Sequence, residues 1–264
     1  MNAFHTLLHT PASPPALGTW IMSASPLVAE AMGHAGFGWA VIDMEHTPLD
    51  QMELIHLLQA VAGTPMKPVV RVPWNDAVTI KRVLDAGATT LLVPFVQNAD
   101  EAHDAVAATR YPPEGRRGMA GMSRASRFGT APDYLRTANQ GLCVIVQLET
   151  TEAIGQLEAI AAVPGVDALF IGPGDLSATM GHVAQLTHPA VLEITAQAVQ
   201  RAKAVGKPIG TVGGTVEVVQ RYRAMGFDFT AIASDLGLLM RSAQAAIGAL
   251  GQAPAEGSTV SGGY

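Results

Sequence analysis

Only one cysteine, Cys143, occurs in the 264 residues. No disulfide can form within the chain, and its place inside an apolar run marks it as a small core residue. That usage fits a reducing cytoplasm, the location expected from the sequence. No signal-peptide pattern opens the chain. The early uncharged stretch 11–29 is interrupted by Pro11, Pro14, Pro15 and Pro26, unlike a membrane helix. Lysine is nearly as scarce, with Lys67, Lys81, Lys203 and Lys207 the only four. Charged residues make up 14% of the chain, the net charge is −6, and no run of Lys or Arg occurs. These absences exclude nucleic acid and anionic membrane as partners. What is abundant is apolar: 48% of residues are hydrophobic, high for a soluble monomer, so buried contacts between subunits are expected.

Short apolar runs alternate with segments of helical spacing along the chain. Strands are expected at 17–22, 39–42, 68–72, 90–96, 143–148, 168–171, 208–212 and 229–233, with helices between them, including one continuous helix over 151–162. Eight strands alternating with helices in a chain of this length predict a single α/β domain, a (β/α)₈ barrel over residues 16–251, with a doubly wound open sheet as the alternative. Residues 1–15 read as a short helix and a Pro-rich link. The Gly/Ser/Ala/Pro-rich tail 252–264 reads as disordered. Between the fifth helix and the strand at Cys143 lies a long Arg-bearing excursion, 111–142, of the kind that is functional or forms a subunit contact.

The stretch Cys143–Ser177 carries the chemistry. It reads as strand, helix, strand, with Glu149 and Asp175 just past the two strand ends and 26 residues apart, which makes them neighbours in space. Two such carboxylates share a proton or a hard divalent cation; the plainer reading is that each caps the following helix. The turn Gly172-Pro173-Gly174 adds exposed N–H groups of Gly172, Gly174 and Asp175 facing an incoming anion. Further polar residues collect at the carboxyl ends of strands: Ser23, Asp43, Glu45, His46, Arg71, Gln147 and Ser234. The three-residue spacing of Asp43 and His46 suits a carboxylate that orients an imidazole, against the alternative of a helix-start residue. Arg71 at a buried strand end requires a carboxylate or anionic ligand, with Glu45 the structural alternative. All four lysines fall on helices or on the opposite face, so no Schiff-base nucleophile is available and any aldol chemistry must use a metal.

The succession SPLVAEAMGHAGFGWAVIDMEHTP, VVRVPWND, IKRVLDAGATTLLVPFVQN, RYPPEGRRG, VQLET and GVDALFIGPGDLSATMG, spread over residues 16–250, resembles the HpcH/HpaI aldolase/citrate lyase family of the phosphoenolpyruvate/pyruvate superfamily. Within it the chain is similar to the 4-hydroxy-2-oxoheptanedioate and 2-dehydro-3-deoxyglucarate aldolases. The resemblance implies a class II aldolase with Mg²⁺ or Mn²⁺ (Co²⁺ or Zn²⁺ as alternatives) on Glu149 and Asp175, Arg71 on the pyruvate oxygen, and His46 with Asp43 as an acid/base dyad. It also implies a homohexamer built as a trimer of dimers, with the last helix packed on a neighbouring subunit. Gly38 stands where many relatives have Asp, and Val212 where a larger aliphatic residue is common.

The reaction expected is reversible cleavage of a 4-hydroxy-2-oxo acid to pyruvate and an aldehyde. Gln147 would hold a water, and the aldehyde half would lie toward Trp20, Val212 and the excursion, whose Arg116, Arg117, Arg124 and Arg127 are candidates for a distal carboxylate. Two other readings are a malyl-CoA or citramalyl-CoA type lyase, which the misplaced lysines disfavour, and a non-catalytic scaffold barrel, which retention of both acids, the Arg and the Asp/His pair disfavours.

Overall fold

The computed structural model describes residues 2–10 and 15–251; the tail expected to be disordered and residues 11–14 of the link lie outside them. The described strands are β1 (Leu17–Ile21), β2 (Trp39–Asp43), β3 (Lys67–Arg71), β4 (Thr90–Val93), β5 (Cys143–Leu148), β6 (Ala168–Ile171), β7 (Ile209–Gly213) and β8 (Phe229–Ser234). All pair in parallel and in sequence order, and β8 returns to β1, so the sheet is a closed barrel. The helices are α1 (Ala3–His9), α2 (Pro26–His34), α3 (Gln51–Ala62), α4 (Ala77–Asp85), α5 (Ala99–Thr109), α6 (Tyr134–Thr137), α7 (Thr151–Gly155), α8 (Leu157–Ala161), α9 (Pro173–Thr179), α10 (Pro189–Ala204), α11 (Val216–Met225) and α12 (Asp235–Ala249). The helix expected over 151–162 is therefore two, parted at Gln156, whose backbone leaves the helical region (φ −96°, ψ 10°).

Strand residues are buried on both faces because successive side chains enter different cores. In β2, Trp39 and Val41 point into the barrel while Ala40 and Ile42 meet the helices. The barrel interior is filled by Trp20, Trp39, Ile145, Phe170, Val212 and Phe229 with smaller neighbours, Cys143 among them. Burial pushes the Cys143 thiol pKa up, as expected of a core residue. Gly18 is required where the Trp39 ring lies, since a Cβ there would overlap the indole.

α1 closes the amino end of the barrel. Phe4 packs edge-on against Trp39 and Phe229 at 5.5 and 5.6 Å, and the Asn2 amide donates to Thr89 O and Gly141 O. Connections from helix to strand lie at this end and connections from strand to helix at the other. The excursion 111–142 follows α5 and precedes β5, so it belongs to the amino end. Arg117 there pairs with Asp85 at 2.7 Å, with its guanidinium 4.5 Å from the Tyr111 ring, and Arg124 donates to Ala86 O. Arg116 pairs with Asp104. The expectation that this segment borders an aldehyde pocket in its own barrel is overturned: topology puts it at the far end, where Arg117 and Arg124 fasten it to the end of α4.

Candidate active site

β2 and β3 pair with Asp43 directly beside Arg71, and the side chains complete that register. Arg71 is fully buried and forks onto Asp43, Nε to Oδ1 at 2.9 Å and Nη2 to Oδ2 at 2.8 Å. Its Nη1 lies 2.8 Å from Glu45 Oε2. A guanidinium taken out of water needs such neighbours, and the planar fork matches a carboxylate edge. The ring of Trp20 lies below, 5.6 Å from the guanidinium carbon.

The Asp43 carboxylate, expected beside His46, is held by Arg71. Both oxygens of Asp43 are engaged by Arg71, and Oδ1 also accepts from Glu45 N. The acid nearest His46 is Glu45, with Oε2 4.0 Å from His46 Nε2. Glu45 therefore stands between Arg71 and His46. Burial raises its pKa, which Arg71 and His46 lower and Asp43 and Asp175 raise. Glu45 lies in the turn two residues past the end of β2.

Glu149, just past β5, is 1% exposed. Its Oε1 accepts from Gln147 Nε2 and its Oε2 from the backbone N–H of Phe95 at 2.9 Å. Burial pushes its pKa up to about 7; the Gln147 hydrogen bond lowers it, Glu45 and Asp175 raise it further, and Arg71 lowers it. Asp175 is exposed in the first turn of α9. Its charge raises the pKa of both Glu45 and Glu149. Neither Glu149 nor Asp175 caps a helix by its side chain. Thr150 Oγ1 caps α7 through Ala153 N, and Gly172 begins α9 with no side-chain cap.

Gly172 is where the backbone must pass closest. A Cβ there would sit 2.5 Å from Glu149 Oε1 and 2.9 Å from Gln147 Nε2. Its N–H is spent on Leu148 O at 3.3 Å, which removes it from the expected anion-binding set. Gly174 and Asp175 remain in the uncapped first turn of α9. Ser23 and Ser234 serve the backbone: Ser23 Oγ accepts from Ser25 N, and Ser234 Oγ caps α12 through Gly237 N. Asp235, unremarked in the sequence, ties the end of β1 to α12 by accepting from Met22 N and Ser23 N. Trp20 and Val212 are each 1% exposed within the barrel interior. Of the two, Trp20 lies against the Arg71 guanidinium.

Asp43 and Glu45 thus pair with the Arg71 guanidinium, Glu149 feels its charge, and Asp175 adds a fourth carboxylate acting on Glu45 and Glu149. Negative charge is in excess, one carboxylate is buried with its pKa raised, and Gln147 Oε1 is buried without a hydrogen-bond partner. Hard oxygen donors with surplus charge fit a divalent cation of the Mg²⁺ or Mn²⁺ kind, with water completing its coordination. Among the described residues no group of three or more His, Cys, Asp or Glu side chains is arranged as a ready metal cage. No described helix is long and apolar enough to cross a membrane.

The family model of HpcH/HpaI aldolase/citrate lyase matches residues 16–242. The chain is 51% identical over 234 residues to a 2-dehydro-3,6-dideoxy-6-sulfogluconate aldolase of Pseudomonas putida, covering 89% of this chain and 92% of that protein. It is 48% identical over 245 residues to a 4-hydroxy-2-oxo-heptane-1,7-dioate aldolase of Salmonella arizonae, covering 92% of each. Among solved structures, an HpcH/HpaI aldolase/citrate lyase family protein of Burkholderia cenocepacia superimposes with a TM-score of 0.91 at 39% identity, covering 96% of this chain and all of that one.

Proposed function

The chain belongs to the HpcH/HpaI aldolase/citrate lyase family, and from that premise we propose that it is a metal-dependent pyruvate aldolase, a carbon–carbon lyase cleaving 4-hydroxy-2-oxo acids to pyruvate and an aldehyde. The observation that supports this most is the excess of carboxylate around Arg71, with Glu149 buried and Gln147 Oε1 unpaired. Glu149 and Asp175 would hold the divalent cation, Mg²⁺ or Mn²⁺ before Co²⁺ or Zn²⁺. When bound, such an ion supplies Lewis-acid stabilisation of the negative charge that develops on the keto oxygen of pyruvate.

The chain supplies the rest. Arg71 is held by Asp43 and Glu45 in one orientation, so its donors are fixed before substrate arrives and no reorganisation is needed as charge develops. The free N–H groups of Gly174 and Asp175 at the start of α9 receive the substrate carboxylate. His46, half exposed at the mouth, takes the proton from the C4 hydroxyl. As that O–H bond breaks, the C4 carbonyl forms, the C3–C4 bond cleaves, and its electron pair passes to the pyruvate unit, which is protonated at C3. Glu45 stabilises the protonated imidazole. Gln147 Oε1 accepts from a water.

No observation favours the CoA-thioester lyase. The loops that follow the strands, residues 22–25, 44–50, 72–76, 94–98, 149–150, 172–188 and 214–215, contain no Lys or Arg, so nothing at the mouth meets a CoA phosphate. We further propose that a second copy of the chain covers α12, on which Leu236, Leu239, Met240 and Ile247 are 40–62% exposed; ultracentrifugation reports the assembly, for which a hexamer is expected. The activity is tested by assaying pyruvate release from 4-hydroxy-2-oxo acids after reconstitution with Mg²⁺ or Mn²⁺. Turnover that survives complete chelation overturns the metal-dependent reading.

A further inference from the structure

Phe95 and Trp74 play no part in the mechanism above, yet the backbone between β4 and α5 is bent around Glu149. Pro94 ends β4 because it has no N–H for the ladder. Phe95 then adopts φ +56°, in the left-handed region that side-chain-bearing residues rarely occupy and that persists only where the surroundings enforce it. In that conformation its N–H reaches Glu149 Oε2 at 2.9 Å. The next residues continue the wrap: Val96 N donates to Gln147 O at 3.1 Å, and Gln97 Oε1 accepts from Thr150 Oγ1 at 2.7 Å. Three consecutive residues thus bond to Glu149, Gln147 and Thr150.

The Phe95 ring stacks on Trp74, from the β3–α4 loop, with centroids 5.8 Å apart and planes inclined by 26°. Trp74 is 55% exposed, so burial of its own surface does not account for it. A stacked aromatic pair has a defined geometry, and here it holds the side chain of the one residue whose φ sets the aim of an N–H at Glu149. A backbone donor is not deleted by substitution; it is only mis-aimed.

We propose that Phe95, braced by Trp74, is a positioning residue that fixes the Glu149 carboxylate for cation binding. The inference rests on the reading of Glu149 as a metal-holding group, and its test separates the two. Mn²⁺ binding to the full chain is measured by titration calorimetry for wild type, Phe95→Gly, Trp74→Ala, Phe95→Tyr and Glu149→Gln, with thermal unfolding of each metal-free protein alongside. Glycine tolerates φ +56° and keeps the N–H while removing the ring; tyrosine keeps the stack. Removal of an outer support of this kind weakens metal binding by about 10-fold. Phe95→Gly and Trp74→Ala are expected to show that loss with the metal-free unfolding temperature nearly unchanged, and Phe95→Tyr to bind as wild type. Wild-type Mn²⁺ affinity in both Phe95→Gly and Trp74→Ala, while Glu149→Gln loses binding, overturns the positioning role alone. Wild-type affinity in Glu149→Gln as well overturns the metal-holding reading on which it rests.

Discussion

At the amino end of the barrel, Asp167 and Asp228 each accept a hydrogen bond from a strand N–H, Val144 at 2.7 Å and Ile209 at 2.9 Å. At the carboxyl end, Asp43 and Glu45 pair with one guanidinium, and Glu149 is buried with the charges of Glu45 and Asp175 acting on it. The amino end also carries the loop cations, Lys207 bonded to Val166 O and Arg117 and Arg124 bonded to α4, whereas the loops at the carboxyl end have none. The same carboxylate chemistry is therefore structural where donors surround it and available for a ligand where negative charges outnumber positive ones. Burial near like charge is unfavourable for folding, and it persists where a bound cation offsets it.

The largest expected effect comes from the carboxyl end. Glu149→Gln keeps the shape and the Gln147 neighbour but removes a charge that would hold the cation, and loss of the charge stabilisation the cation would supply costs about 3 to 4 kcal/mol, a drop of roughly 100- to 1,000-fold in kcat. Pyruvate-release kinetics check it, and turnover within a few-fold of wild type would erase the distinction between the two ends. Arg117→Ala is the mirror experiment. It strips the buried partner of Asp85 and is expected to destabilise the fold by about 3 kcal/mol, while kcat per folded molecule stays unchanged; denaturant unfolding beside the activity assay tells the two apart.

The raised Glu149 pKa gives a pH dependence of definite sign. Its folded value, about 7, lies above its ordinary value of 4.5, so between these pH values the folded chain holds more protons than the unfolded one. Metal-free stability is then expected to fall as pH rises from about 4.5 to 7 through this group. Cation binding needs the carboxylate, so calorimetry in buffers of different ionisation enthalpy should show release of roughly one proton per ion at pH 6 and little at pH 9. No proton release at pH 6 would show that Glu149 is already ionised. The smallest effect belongs to the amino end: Asp167→Ala leaves Val144 N without its acceptor and costs about 1 to 2 kcal/mol, readable as a lower unfolding midpoint with unaltered kcat.

Strand positions could be read from the sequence because continuous apolar runs bounded by Gly, Pro and capping residues have few other uses, and the observed ends differ from expectation by a residue or two. β4 is the exception, ending at Val93 where a strand to Val96 was expected. Pro94 marked that end, but the left-handed turn at Phe95 left no mark on a residue type that rarely makes one. Glu149, Asp175, Arg71 and His46 were visible as polar residues at the carboxyl ends of buried strands. Of their partners only Glu45, beside Arg71, was foreseen. Arg71 chose Asp43 because β2 and β3 pair in that register, and Glu45 came to His46 because Asp43 was already taken.

The order of the apolar runs determined the barrel, and the barrel determined which end bears the chemistry, since every strand-to-helix connection must emerge there. Only the closed sheet decided that the arginines of 111–142 sit far from Glu149, and that Trp20 and Val212 share the barrel interior. Strand order is local and survives in one dimension; the pairing of charges depends on register and on how many donors reach each buried oxygen, and those exist only once the chain has closed on itself.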